Sequence, residues 1–178
     1  MVLFKHDGFA ADPWQVLPPG ENIFLKGRVL LDRAQWMALR DKVRDLSLPL
    51  GLRLEPGKGL ADILPELHRF ELIALNFPKF SDGRSYSTGH LIRVVHGFKG
   101  EIRAVGDVLF DQMQLMQRCG FDAYEISNAP TIRALESGRR PGVSNFYQPG
   151  VGPEVPAGTR PWARRRPADE NGAACFSI

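Results

Sequence analysis

From residue 50 onward the chain repeats one pattern: a short apolar run, a loop, then a segment whose apolar residues recur at helical spacing. The runs are GLRLEP (51–56), ELIALNF (71–77), EIRAVG (101–106) and FDAYEI (121–126). Between them, Leu60, Ile63, Leu64 and Leu67, then Leu91, Ile92, Val94 and Val95, then Leu109, Met113 and Met116 each form the stripe of a helix with one buried face. Gly97 and Gly120 stand where two of these helices would close on a left-handed residue. Strand and helix alternate, and the crossover joining parallel strands is right-handed in nearly every protein, so the expected fold is α/β. About four parallel strands alternating with helices are predicted, as a partial barrel or a small open sheet.

The flanks read differently. Residues 1–22 mix polar residues with Pro13, Pro18 and Pro19 and are expected to form an N-terminal arm. After an apolar stretch around Ile23 to Leu31, Asp32 stands three residues before Gln35, as in a capping box. Trp36, Leu39, Val43 and Leu46 follow at helical spacing, which predicts a first helix over about 33–46. A short helix is expected to begin near Asn128. Residues 141–178 carry Pro141, Pro149, Pro153, Pro156, Pro161 and Pro167 with few apolar anchors, too few to offset the entropy of ordering. The division is therefore an arm (1–22), an α/β domain (23–140) and a Pro/Gly/Arg-rich flexible tail (141–178), with Phe146 and Tyr147 as its expected docking point.

The formal charge of +3 lies wholly in residues 131–178, because residues 1–130 carry equal numbers of basic and acidic side chains. A basic partner surface is thus not predicted for the body. RPWARRRP (160–167) reads as a solvated basic segment, so nucleic acid is disfavoured as a partner. No apolar run reaches eighteen residues, and MVLFKHDGFAADPW has the charge a signal peptide lacks, which predicts neither membrane insertion nor secretion. Two cysteines, Cys119 and Cys175, and four histidines predict no disulfide framework and no metal site, in keeping with a reducing cytoplasm. Cys119, on an apolar stripe before Gly120, is expected to be a buried, unreactive thiol.

In parallel α/β folds ligands bind beyond the carboxyl ends of the strands, so those positions are the candidate site. They supply Glu55, then Lys79 with Asp82 and Arg84, then Arg103 with Asp107, then Glu125. FPKFSDGRSYS (77–87) sets Lys79, Arg84 and Tyr86 on a tight loop with the Asp82-Gly83 turn signal, and Ser85 or Ser87 is placed to cap the following helix. Two cations at a helix start suit a small anion; a structural turn is the competing account. In GEIRAVGDVLFDQ (100–112), Asp107 and Asp111 are four apart and would share a helix face. Such a pair can do acid–base work or hold a hard cation; the simpler account is that Asp107 caps the helix and Asp111 pairs with a neighbouring arginine. The binding set, for an anion or a partner, is Lys79, Asp82, Arg84, Arg103, Asp107 and Asp111; no catalytic residue is assigned, and whether the chain is an enzyme stays open.

FPKFSDGRSYS, GEIRAVGDVLFDQ and RCGFDAYEI (118–126), in this order, resemble a bacterial family of unknown function whose members carry the label of probable oxidoreductases of sulfite reduction. The looser resemblance spans residues 23 to about 135. Genes of that family typically sit beside the sirohaem sulfite reductase, so the resemblance implies assimilatory sulfur metabolism; it establishes no catalytic residue. Redox chemistry is cofactor chemistry, and the chain has no GxGxxG opening a helix, no CxxCH and too few cysteines for an iron–sulfur cluster. The expectation is therefore a cofactor-free accessory or adaptor protein acting with sulfite reductase or its electron donor. The alternative is a small cytoplasmic enzyme acting on an anionic metabolite.

Overall fold

The computed structural model describes residues 1–5, 8–18, 27–43, 48–142, 145–147, 150–151, 154–158 and 160–165. All four predicted runs are strands: β5 (Leu50–Leu54), β6 (Phe70–Phe77), β7 (Glu101–Gly106) and β8 (Ala123–Ile126). They lie side by side in chain order and pair in parallel. The sheet is larger than the four strands expected, because β1 (Val2–Lys5), β2 (Gly8–Ala10), β3 (Trp14–Val16) and β4 (Arg28–Asp32) complete an eight-stranded sheet in the order β2-β1-β8-β7-β6-β5-β4-β3. β3 and β4 extend the parallel run, whereas β1 and β2 form an antiparallel hairpin beyond β8. Much of the expected arm is thus sheet; segments of three or four residues are too short to show strand alternation.

The two outermost strands, β2 and β3, are joined by residues 11–13 alone. Such a link spans about 14 Å, whereas eight flat strands would set their edges roughly 34 Å apart. The sheet must curl, and it forms a half-barrel strapped across its open side. Each crossover in a sequentially ordered parallel sheet places its helix on the same, outer face. There the larger core gathers Val29, Leu31, Leu52, Ile73, Leu75, Phe77, Ile102 and Ala104 against Trp36, Ile92, Met113 and Met116. On the inner face Trp14, Leu30, Leu72, Ala74 and Val105 form a second, smaller cluster. Gly51 makes room for it: a Cβ there would lie 3.0 Å from Leu30 and 3.1 Å from the Trp14 ring.

The predicted capping box holds in both directions, Asp32 accepting from the Gln35 amide and Gln35 from the Asp32 amide, at the start of α1 (Arg33–Leu39). The helix is shorter than expected, and Leu46 lies outside the described residues. Of the Leu60 to Leu67 stripe only Leu64 and Leu67 fall in a helix, the short 3-10 helix Leu64–Arg69, with Leu60 and Ile63 in the turn before it. α2 (Arg84–His90) runs into a π-helical turn, Leu91–Val95, closed by the His96 amide on the Leu91 carbonyl. That wider winding breaks the expected stripe: Ile92 is buried, but Leu91, Val94 and Val95 are exposed. α3 (Met113–Arg118) buries Met113 and Met116, and α4 (Ala129–Glu136) starts on the predicted cap, Asn128 accepting from the Thr131 amide. Gly97 and Gly120 have the left-handed φ expected of closing residues, 64° and 96°. The segment read as a flexible tail contains the antiparallel pair β9 (Val155–Ala157) and β10 (Arg160–Arg165). No described helix is long and apolar enough to cross a membrane.

Candidate functional site

The loop after β6 is held from three directions at the carboxyl end of the sheet. Asp107, beyond β7, accepts the Phe80 amide at 2.9 Å, and Gln112 donates to the Phe80 carbonyl at 2.7 Å. The Asp107 amide donates to the Phe77 carbonyl at 2.8 Å. Gly106 permits this: its φ is 97°, and a Cβ would lie 2.5 Å from the Phe77 carbonyl oxygen. Between its fixed ends the loop folds on itself. Asp82 takes the Arg84 guanidinium side-on, with Nε at 2.9 Å and Nη2 at 2.7 Å. That hydrogen bonding holds the Asp82 carboxyl down at about 2. Arg84 also lies over the loop after β5, where Gly57 leaves space for its Nη1. Lys79 and Phe80 remain exposed, Phe80 to 61%.

Several expected roles change here. Asp107 clamps the neighbouring loop instead of capping a helix, because the chain beyond it stays extended to Leu109, whose amide donates to Gln112. Asp107 and Asp111 therefore share no helix face; Asp111 lies on a 3-10 turn, Phe110–Gln112, from which its charge reaches Tyr86. The Tyr86 hydroxyl is pushed up to about 12, by burial first and then by Cys119 and Asp111. Neither Ser85 nor Ser87 caps α2, whose N-cap is Gly83; Ser85 is buried and donates to the Asn76 carbonyl at 2.6 Å. Asn76 in turn donates to Glu55 at 2.8 Å, joining the ends of β5 and β6. Lys79, Asp82, Arg84 and Asp107 are thus brought to one end of the sheet.

Arg103 is not with them. It pairs in register with Ala74 in mid-strand, three residues before the end of β7, with its side chain on the inner face and 0% exposed. Nε donates to Glu101 at 2.8 Å and Nη1 to Asp12 at 2.7 Å. Glu101 also binds Lys5 of β1. Burial, the largest influence, opposes the charge of Arg103, but its hydrogen bonds and the two carboxylates outweigh it and hold the guanidinium protonated. Asp12 lies 91 residues away on the strap, so no local pattern could announce the pair. The signal that was present is alternation: Glu101, Arg103 and Val105 occupy every second position of EIRAVG, as Arg53 does in GLRLEP.

At the amino end of the strands Arg93 ties the loops before β7 and β8 together, donating to the carbonyls of Gly120 and Gly100 and pairing with Asp122. A cleft of about 740 Å³ opens beside it, lined by Leu67, His68, Phe70, His96, Phe98 and Lys99 among others. Cys119 is half-buried, and burial pushes its thiol up. Cys175 lies outside the described residues. Phe146, the expected docking point, packs under the Arg118 guanidinium 4.3 Å from its ring centre, while Tyr147 stacks on Trp162. Among the described residues no three His, Cys, Asp or Glu side chains are grouped to hold a metal.

A family model described as a bacterial protein of unknown function (DUF934) matches residues 51–157, from β5 through the clamped loop to β9. No curated protein and no solved structure matches.

Proposed function

The chain belongs to the bacterial DUF934 family of unknown function, and we propose that it is an accessory or adaptor protein of assimilatory sulfite reduction. It docks on sulfite reductase or on that enzyme's electron donor. The process is what the three sequence motifs imply through their resemblance. The observation that supports docking is Phe80, a large apolar side chain 61% exposed whose backbone is hydrogen-bonded on both sides by Asp107 and Gln112. Interface hot spots are typically aromatic anchors ringed by polar groups, and an anchor on a rigid loop loses little conformational entropy on binding. Lys79 and the Asp82–Arg84 ion pair flank it and supply a polar rim.

Calorimetric titration of the protein into sulfite reductase, and separately into its electron donor, tests this. Saturation at a fixed stoichiometry with one of them is expected. Phe80→Ala should weaken that binding by about 30-fold or more, the loss typical of a truncated hot spot, with an unchanged Tm. Failure to bind either protein overturns the adaptor role, and undiminished binding by Phe80→Ala overturns the assignment to this loop. The alternative, an enzyme acting on an anionic metabolite, draws its support from a different place, the buried guanidinium on the inner face.

A further inference from the structure

Arg103 is a charged side chain that solvent does not reach, and its guanidinium is incompletely used. Nε and Nη1 have carboxylate partners, whereas Nη2 meets no acceptor among the described residues. The same is true of Nε of Arg53. Native proteins rarely leave buried N–H groups in this state, because each forfeits a hydrogen bond it makes in water. The two orphaned groups are related by the sheet. Arg53 of β5 and Arg103 of β7 both pair in register with Ala74, so they rise from the inner face on either side of a single methyl group, their Cα atoms about 10 Å apart. Ala123 continues the row, with Lys5 beyond it.

Asp12 occupies only part of what Arg103 offers. One of its oxygens takes Nη1, and the other accepts the Trp14 amide at 3.1 Å. The Nη1 and Nη2 edge of a guanidinium is a fork that binds a carboxylate or similar oxyanion through two parallel hydrogen bonds. Asp12 uses half of that fork.

We propose that the inner face of the half-barrel is a binding site for a small oxyanion, held between Arg53 and Arg103, and that the oxyanion displaces Asp12. The strap at 11–13 faces solvent, with the Asp12 side chain 37% exposed, so Asp12 can pass to water without opening the sheet. The incoming anion satisfies both end nitrogens of Arg103 and Nε of Arg53. The Asp12 carboxylate passes to water, whose hydration offsets the lost ion pair, and Glu101 stays between Arg103 and Lys5. The site is independent of the docking loop, so each stands or falls alone.

The full chain is titrated with sodium sulfate and with sodium acetate at constant ionic strength in sodium chloride, following Tm and heat of binding. A saturable rise in Tm with at least one of the two anions is expected, absent with chloride alone. Asp12→Asn removes the competing carboxylate and should bind that anion at least ten-fold more tightly. Arg53→Gln should bind it at least ten-fold more weakly. Acetate alone binding identifies planar carboxylates as the class; sulfate alone, tetrahedral oxyanions. No saturable binding of either anion by the native chain overturns the site, as does undiminished binding by Arg53→Gln; that comparison holds even where Asp12→Asn fails to fold.

Discussion

Asp82 and Arg84 spend their charges on each other, which makes the pair a reporter of loop order. A carboxyl lowered to about 2 in the folded chain stabilises it above the unfolded value near 4, and that contribution is lost as pH falls from there through about 2. NMR titration should place the Asp82 midpoint near 2, and Arg84→Ala should return it to the ordinary carboxylate range; a normal midpoint in the native chain means that the loop is open in solution. Cys119, at the C-cap of α3 ahead of β8, reports on the opposite end of the strands. Burial raises its thiol, so little thiolate forms at neutral pH, and labelling of the native protein should be far slower than that of a free thiol, rising on denaturation. Fast native labelling would mean that α3 does not pack as described. The apolar stripe announced the unreactive Cys119 thiol but not the order of the Asp82 loop. Asp82-Gly83 announced a turn, but the clamp from Asp107 joins residues 27 apart, and hydrogen bonds of that kind leave no local pattern.

Among the elements, β5 to β8 were legible because strands covered on both faces read as apolar runs bounded by turns. β1 was not: its four residues earn their place only by pairing Val2 with Ile126 at the far end of the fold. The junction of β7 with the clamped loop was half legible. Gly106 ends the run as a turn residue would, but the need for glycine comes from the Phe77 carbonyl, which a Cβ would approach to 2.5 Å. Gly106→Ala should therefore cost roughly 1–3 kcal/mol from φ strain alone, more with the collision, measured by urea denaturation, and should also weaken partner binding. A loss below about 0.5 kcal/mol would show that the loop adjusts freely. The β9–β10 pair presents the opposite case. It touches the domain through flanking residues, Phe146, which bridges to Arg164 and packs on Arg118, and Val151, whose amide meets the Arg118 carbonyl; among its described residues Ala163 alone is buried, outside both core clusters. A chain ending at residue 142 should unfold as one cooperative transition, with Tm lowered by only a few degrees. Loss of cooperativity would place the pair within the folding unit.

For the whole molecule the strap at 11–13 has two possible meanings, and their magnitudes differ enough to separate them. As a mere linker between β2 and β3 it contributes through loop closure, for which doubling the length costs about 0.6 kcal/mol. As the element that sets Asp12 on Arg103 it satisfies a buried Nη1 donor, and leaving such a donor unsatisfied costs about 1–3 kcal/mol even though Glu101 still compensates the charge. Inserting two glycines on each side of Asp12 leaves every side chain of the half-barrel in place while freeing the strap. Asp12 then has to be ordered from a much larger ensemble to reach the same guanidinium, and much of the pair's contribution is lost. The expected result by urea denaturation is a loss of about 1–3 kcal/mol, or a fall in Tm of about 2–12 °C for a chain of this size. A loss under 1 kcal/mol would identify the strap as a passive link and the curl of the sheet as the work of its side chains alone. Added sulfate or acetate separates the remaining cause: an anion able to take the place of Asp12 should restore more stability to the lengthened chain than to the native one.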